Sequence, residues 1–195
     1  MYAAGIFRES IRASLAPASE APDTGGGNPA AVLVPVVDAG EPRLVFTKRT
    51  DELPRHPGEI SFPGGLRQED DADLLATALR ETEEELGLSP HLVDVLGSLQ
   101  PLETFTSGMT IAPFVGALDA DPVFTANPGE IAEVLEVTVS DLMEIEEPRS
   151  WSRGGSTWWG YVYEVDGNTI WGATGRILHE FLEVVRGRIA HRETR

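Results

Sequence analysis

No cysteine occurs in the 195 residues of the chain. That excludes disulfides, zinc–thiolate sites, iron–sulfur clusters and thiol catalysis. Lysine is nearly missing as well, with Lys48 alone against fourteen arginines. No apolar run approaches the roughly 18 residues of a membrane span. Met1 to Arg8 has no basic stretch ahead of an apolar one, so no signal peptide is expected and cytoplasmic residence is the default. Positive charge is scarce: 15 basic against 32 acidic residues give 15 − 32 = −17. Such a surface repels nucleic acids and anionic membranes at long range, so neither is expected as a partner. The triplet Gly25-Gly26-Gly27 is not followed by Lys-Ser or Lys-Thr and precedes a strand, so it is no phosphate-binding P-loop.

What is present is ordinary globular material, 41% hydrophobic and 24% charged, enough for one domain with short extensions. Ile6, Phe7, Ile11 and Leu15 fall at helical spacing, and Pro17 to Pro29 reads as a linker, so residues 1–29 form an N-terminal helix and linker ahead of a domain over 30–195. Strands are expected at 31–37, where Pro35 hints at an edge or bulge, and then at 44–47, 92–101, 110–118 and 131–139. Residues 49–65 and 119–130 read as loops. A strong helix is expected over 73–86, and Ser140 is placed to cap a short one. Residues 158–165 and 168–171 flank Asp166-Gly167 as a hairpin, and an amphipathic helix closes the chain over 175–190. The order predicts an α+β fold, an α/β/α sandwich over a mixed β-sheet.

Most of the 32 carboxylates are read as solvated surface. The segment Phe62 to Leu88 is different. With Arg80 at 0° and about 100° per residue, Leu75, Ala78, Leu79, Thr82 and Leu86 fall between about 160° and 260° as the buried stripe. On the same wheel Glu84, Glu81 and Glu85 fall at about 40°, 100° and 140° on one flank, and Glu83 at about 300° on the other. Carboxylates so placed repel one another, and a hard divalent cation, Mg²⁺ or Mn²⁺, relieves this. A charged helix face alone would carry no such message. The Gly-Gly turn before the helix, Arg80 before the cluster and Gly87 after it give it one.

Arg80-Glu81-Thr82-Glu83-Glu84-Glu85-Leu86-Gly87-Leu88, with Gly64-Gly65 upstream, resembles the box of the Nudix hydrolases, R-E-x-x-E-E-x-G followed by an apolar residue. Thr82 replaces the usual aliphatic residue, and Asp71, with five residues between it and Gly65, stands where that box has Glu, in a box one residue longer. Phe46-Thr47-Lys48-Arg49, then Arg55 and Gly58, then Phe62-Pro63-Gly64-Gly65, is similar to the signature of one subgroup, the coenzyme A pyrophosphatases. Ile170 to Thr174 also looks like that subgroup, and the resemblance spans about residues 30–185.

The resemblance implies a Nudix-type sandwich that uses Mg²⁺ or Mn²⁺ to split coenzyme A into 3′,5′-ADP and 4′-phosphopantetheine. It implies Glu81, Glu85, Glu84 and the carbonyl of Gly65 as metal ligands, with Arg80, Glu81 and Glu84 as the catalytic set and Arg80 orienting the glutamates. Coenzyme A is a polyanion, so the arginines near the box must offset the acidity of the chain. Arg49, Arg55, His56 and Arg67 are the candidates for its phosphates. Glu130 and Glu133 are weaker candidates for a further ligand or base, since similar proteins often place one late in the chain. His91, His179 and His191 show no metal spacing and read as structural. Trp151, Trp158, Trp159 and Trp171 read as core or subunit packing rather than an adenine pocket. No G-x-S-x-G elbow occurs, which favours direct displacement by water. The expected partner is a small molecule, and a homodimer stays open. Other Nudix substrates (ADP-ribose, dinucleotides, nucleoside triphosphates) and a nucleotide-binding module without activity are the competing readings. The module would be expected to have lost helix glutamates.

Overall fold

The run Ala30-Ala-Val-Leu-Val-Pro-Val-Val37 is apolar without alternation, the pattern of a strand covered on both faces. In the computed structural model it is β1, Ala30–Val37, at the centre of the main sheet. The structure describes residues 6–20, 29–53, 56–104, 108–119, 121–153 and 156–193. In chain order the elements are α1 (Ile6–Arg12), β1, β2 (Arg43–Arg49), β3 (Ile60–Ser61), β4 (Gly64–Leu66) and α2 (Leu74–Leu86). Then come β5 (Asp94–Ser98), β6 (Leu102–Glu103), β7 (Thr110–Leu118), β8 (Ile131–Thr138) and α3 (Val139–Ile145). β9 (Glu147–Arg153), β10 (Ser156–Val165), β11 (Asn168–Ile170) and α4 (Gly172–Glu193) complete the chain.

The main sheet runs β3-β2-β1-β7-β5, with β4 also on β1, β6 on β7 and β8 on β2. β1 and β7 are parallel and the other pairs antiparallel, so the sheet is mixed. Side chains of β1 alternate between two cores. Val34 and Val36 join Phe7 and Ile11 of α1 and Ile177, Leu178, Phe181 and Leu182 of α4. Ala31 and Leu33 join Leu74 and Ala78 of α2. Helices on both faces of one sheet give the α/β/α sandwich. A second sheet, β9-β10-β11, packs on α4. Among the described residues no helix is long and apolar enough to cross a membrane.

Five expectations need correction. The stretch 49–65 is not all loop: it holds β3 and the start of β4, which pair with β2 and β1. Pro35 is neither at an edge nor in a bulge: it pairs with Gly116 within an unbroken β1–β7 register. On the other side of β1, the β4 pairing ends at Val32 and the β2 pairing starts at Val36, so its missing N–H falls in the gap between them. α3 is capped by Thr138, whose hydroxyl accepts from the Asp141 N–H, while Ser140 donates to Glu41. The strand β9 was not expected, because Glu147 to Arg153 shows no apolar alternation; its register with β10, from Glu147↔Val162 to Arg153↔Ser156, makes it a strand. Trp159 is 70% and Trp171 50% exposed, so these two are not core residues.

Candidate active site

The helix α2 starts cleanly because Asp73 accepts from the Ala76 N–H at 2.7 Å. It stops at Gly87, which takes φ 65° and donates to the Glu83 carbonyl, a left-handed cap that glycine adopts without strain. Its buried residues are Leu74, Thr77, Ala78, Thr82, Glu85 and Leu86, whereas Leu75 and Leu79 are only partly covered. The buried face is thus turned toward the carboxylate flank relative to the stripe expected from sequence. The cause is β4, which pairs with β1 and packs along that flank. Two threonines tolerate the shift because their hydroxyls are satisfied: Thr77 donates to Asp71 at 2.9 Å and Thr82 to the Ala78 carbonyl at 2.7 Å.

The turned helix carries Glu85 into the interior, at 3% exposure. Its carboxylate accepts from the Gly64 N–H. Its Oε2 is buried and has no hydrogen-bond partner among the described residues. Burial first, and then the charge of Glu81, push the Glu85 carboxyl up to about 8. The Gly64 N–H and Arg49 oppose the rise, and Glu130 adds to it. Glu81, one turn earlier, is also raised, chiefly by burial, with Arg80 opposing and Glu84 and Glu130 adding. Glu84 is more exposed, and Glu83 points to solvent, as the helical angles require.

Arg80 uses all five of its N–H donors. Its Nε and Nη2 form a two-pronged pair with Asp71, both at 2.9 Å. Its Nη1 reaches Glu81 at 2.9 Å and Glu84 at 3.2 Å, and Nη2 also reaches the Leu66 carbonyl at 3.2 Å. The expected i,i+4 pair of Arg80 and Glu84 is therefore present, as one branch of a larger hub. Asp71 is buried and accepts also from Thr77 and from the Gln68 N–H. Hydrogen bonds from Arg80, chiefly, hold its carboxyl far below the usual range. Asp71 carries more of this site than the sequence suggested; its spacing from Gly65 was the available signal.

Gly65 lies against Glu81. A Cβ on Gly65 would sit 2.5 Å from the Glu81 carboxyl carbon. Gly65→Ala should therefore displace that carboxylate, lowering kcat roughly tenfold or more if Glu81 serves the reaction. Circular dichroism and kcat measured side by side check this. Activity at the wild-type level would show that the position of Glu81 does not matter.

On the opposite wall, Arg49 ends β2 and pairs with Ile131 across a register shift. Its N–H donates to the Glu59 carbonyl, and its Nε is buried without a hydrogen-bond partner among the described residues. His56 sits in the 56–59 turn with φ 55°, its Nδ1 2.7 Å from Glu59 Oε2 on the surface. Arg67 is exposed, with Nη2 on the carbonyls of Asp71 and Ala72 at 3.3 and 3.4 Å. Arg55 lies outside the described residues. Glu133 faces Lys48 across the strands at 3.9 Å. Glu130 lies in the turn just before β8, and its carbonyl accepts from the Thr50 N–H.

Among the described residues no three acidic or histidine side chains form a closed metal cage. Arg80 holds Glu81 and Glu84, and Glu85 is left with an orphaned oxygen. Hard oxygen donors, raised carboxyl pKa values and an unpaired buried oxygen suit a divalent cation of the Mg²⁺ or Mn²⁺ type. The residues fit such a group.

The NUDIX domain family model matches residues 27–159. A Photorhabdus laumondii protein, named as an uncharacterized Nudix hydrolase NudL, is 36% identical over 159 residues, covering 80% of this chain and 84% of that protein. A protein of the same name from Yersinia pestis is 36% identical over 158 residues, covering 80% and 79%. Among solved structures, the NUDIX domain of Shewanella oneidensis NrtR, in complex with ADP-ribose, matches with a TM-score of 0.54 at 13% identity, over 86% of this chain and 92% of that one. A C. elegans Ap4A hydrolase in a binary complex matches with a TM-score of 0.52 at 14% identity, over 87% and 100%. At such identities these two structures speak to the fold alone.

Proposed function

The chain belongs to the Nudix family, and from that premise we propose that this Nudix hydrolase splits the diphosphate of coenzyme A into 3′,5′-ADP and 4′-phosphopantetheine. The observation that supports the reading is that the segment from Phe46 to Gly65 folds on itself and brings Gly64 and Gly65 against α2. Arg49 binds the Glu59 carbonyl, Phe62 stacks on Phe46 with ring centroids 4.7 Å apart, and the Gly64 N–H meets Glu85. Of the residues that resemble the coenzyme A subgroup, Gly64 and Gly65 thus border Glu85 and Glu81, while the Phe46–Phe62 stack lies in the core shared with α1 and α4. Cytoplasmic residence and a small-molecule partner go with this reading.

A bound Mg²⁺ or Mn²⁺ supplies charge neutralisation on the diphosphate and a more acidic water. Glu81, Glu85 and Glu84, with the carbonyl of Gly65, would hold it. Arg80 touches no substrate in this scheme: its donors are already taken, and it fixes Glu81 and Glu84 in direction. Arg49 has a buried Nε without a hydrogen-bond partner among the described residues, and its charge acts on Glu85, so it would meet the diphosphate. His56, exposed in the 56–59 turn, is the candidate for the more distant phosphate of the nucleotide. Arg67 braces the loop ahead of α2 and is the weakest of the four phosphate candidates.

Product analysis after incubation with coenzyme A, ADP-ribose and NADH in parallel, with each metal, tests the substrate. Coenzyme A should be cleaved fastest; ADP-ribose or NADH cleaved faster would overturn the assignment and leave a Nudix hydrolase of another nucleotide. Arg49→Ala should lower kcat/KM about tenfold on both coenzyme A and dephospho-coenzyme A, a loss in the range of a charge-assisted hydrogen bond. A loss confined to coenzyme A would instead put Arg49 on the 3′-phosphate.

A further inference from the structure

The loop before β8 is tied to the end of α2 by main-chain bonds. The Thr125 N–H donates to the Leu86 carbonyl at 2.8 Å, and the Asn127 N–H to the Glu85 carbonyl at 2.9 Å. These two carbonyls belong to the last turn of α2, whose acceptors the helix cannot satisfy itself. Asn127 then turns the chain. Its Oδ1 accepts from the Gly129 N–H at 3.1 Å, and its carbonyl accepts from both Glu130, at 3.0 Å, and Ile131, at 2.8 Å. Four hydrogen bonds to one residue thus join the main chain of Glu85 to that of Glu130. Glu130 is fastened on its far side as well, by the Thr50 N–H at 2.9 Å. The charge of Glu130 acts on both Glu81 and Glu85.

We infer that Asn127 is a positioning residue that sets the Glu130 carboxylate at a fixed distance from the Glu81–Glu85 pair. The inference rests on the Nudix hydrolase reading, takes Glu130 as the late carboxylate that the sequence offered, and adds the strut that holds it. An Asx turn suits this task, because a side-chain oxygen closes it locally and needs no neighbouring element to do so. The sequence Asn127-Pro128-Gly129 reads only as a turn; that it is braced on α2 is visible in the fold alone.

The test is a double-mutant cycle between Asn127→Ala and Glu130→Gln, read by kcat, KM and Mn²⁺ affinity from water-proton relaxation. Asn127→Ala should lower kcat about tenfold or more, the range expected for a slightly misplaced group, with KM within about twofold. It should weaken Mn²⁺ binding in the same direction as Glu130→Gln. In the Glu130→Gln background it should cost nothing further, and Asn127→Ser, which keeps an acceptor for the Gly129 N–H, should restore most of the rate. Equal losses in both backgrounds would overturn the inference, because Asn127 would then act on the fold. So would wild-type kinetics for Asn127→Ala or for Glu130→Gln. If the wild-type protein splits no diphosphate, the functional reading falls, while the Mn²⁺ arm of the cycle still decides the role of Asn127.

Discussion

Glu85→Gln should lower kcat at least about 100-fold, roughly 2.7 kcal/mol, and at the same time raise the thermal stability of the metal-free protein at alkaline pH. Both effects come from one placement. Glu85 is a carboxylate on the buried face of an amphipathic helix, with one oxygen unpartnered among the described residues. Its folded pKa, about 8, lies above its ordinary value. A raised carboxyl pKa means that the fold favours the neutral form. Its contribution to stability is fully present below about pH 4.5 and is lost as pH rises through about 8. Gln keeps the volume and removes the charge, so the variant should escape that loss. A gain of about 1 kcal/mol would raise Tm by about 2–4 °C in a domain of this size. The measurement is a pair of melts in EDTA, at pH 5 and at pH 8.5, with kcat alongside. The Tm difference between variant and wild type should open only at the higher pH. Glu83→Gln is the control, expected to change neither quantity. Equal damage from Glu83→Gln and Glu85→Gln would show that the flank is wrongly assigned.

Asp71→Ala should lower the unfolding free energy by about 3–5 kcal/mol, the cost of leaving one member of a buried ion pair without its partner. Asp71 and Arg80 share two hydrogen bonds at 2.9 Å, with the Asp71 side chain 6% exposed. Without Asp71, the Gln68 N–H loses its acceptor too, and the Thr77 hydroxyl keeps only the Asp73 carbonyl at 3.2 Å. Urea unfolding at pH 7 checks the value. The double variant Asp71→Ala/Arg80→Met should cost less than the sum of the single ones, because neither charge is then stranded. The pH dependence has the opposite sign to that of Glu85. Asp71 has a depressed pKa, so its contribution is present above about pH 4, its ordinary range, and is lost as pH falls below it. A loss under about 1 kcal/mol at pH 7 would mean that the pair contributes little more than a surface ion pair does.

Much of this architecture is legible in the chain before folding. The helical angles separate Glu83 from Glu81, Glu84 and Glu85, and α2 ends at Gly87 as the sequence suggests. The spacing of apolar residues gives α1, β1, β7, β8 and the β10–β11 hairpin. What periodicity cannot show is which face of α2 a short strand will cover. β4 holds three residues and has no pattern of its own, yet it turns the helix and buries Glu85. Strand β9 escapes for a related reason: its identity comes from its partner, not from its composition. Asp71 and Asn127 are hidden differently. Asp71 acts through the side chains of Thr77 and Arg80 and Asn127 through the main chain of Glu85, so single positions carry no signature of them beyond a turn or a spacing. Arg67 shows the reverse. It sits where a phosphate contact is expected, but its guanidinium is turned to the loop carbonyls.

The parallel ladder at the centre of the sheet has a consequence for synthesis. Ala30 pairs with Ile111, a separation of 111 − 30 = 81 residues. At about 5–20 residues per second, the ribosome takes roughly 4–16 s to deliver that partner. Meanwhile the eight-residue apolar run of β1 has only β2 and β4 to occupy one side of it. Its other edge stays open, with backbone donors and acceptors that any extended chain could match. The nascent protein therefore carries its stickiest segment without its final neighbour, and the charge of residues 1–110, 8 basic against 18 acidic residues or 8 − 18 = −10, helps keep one such intermediate away from another.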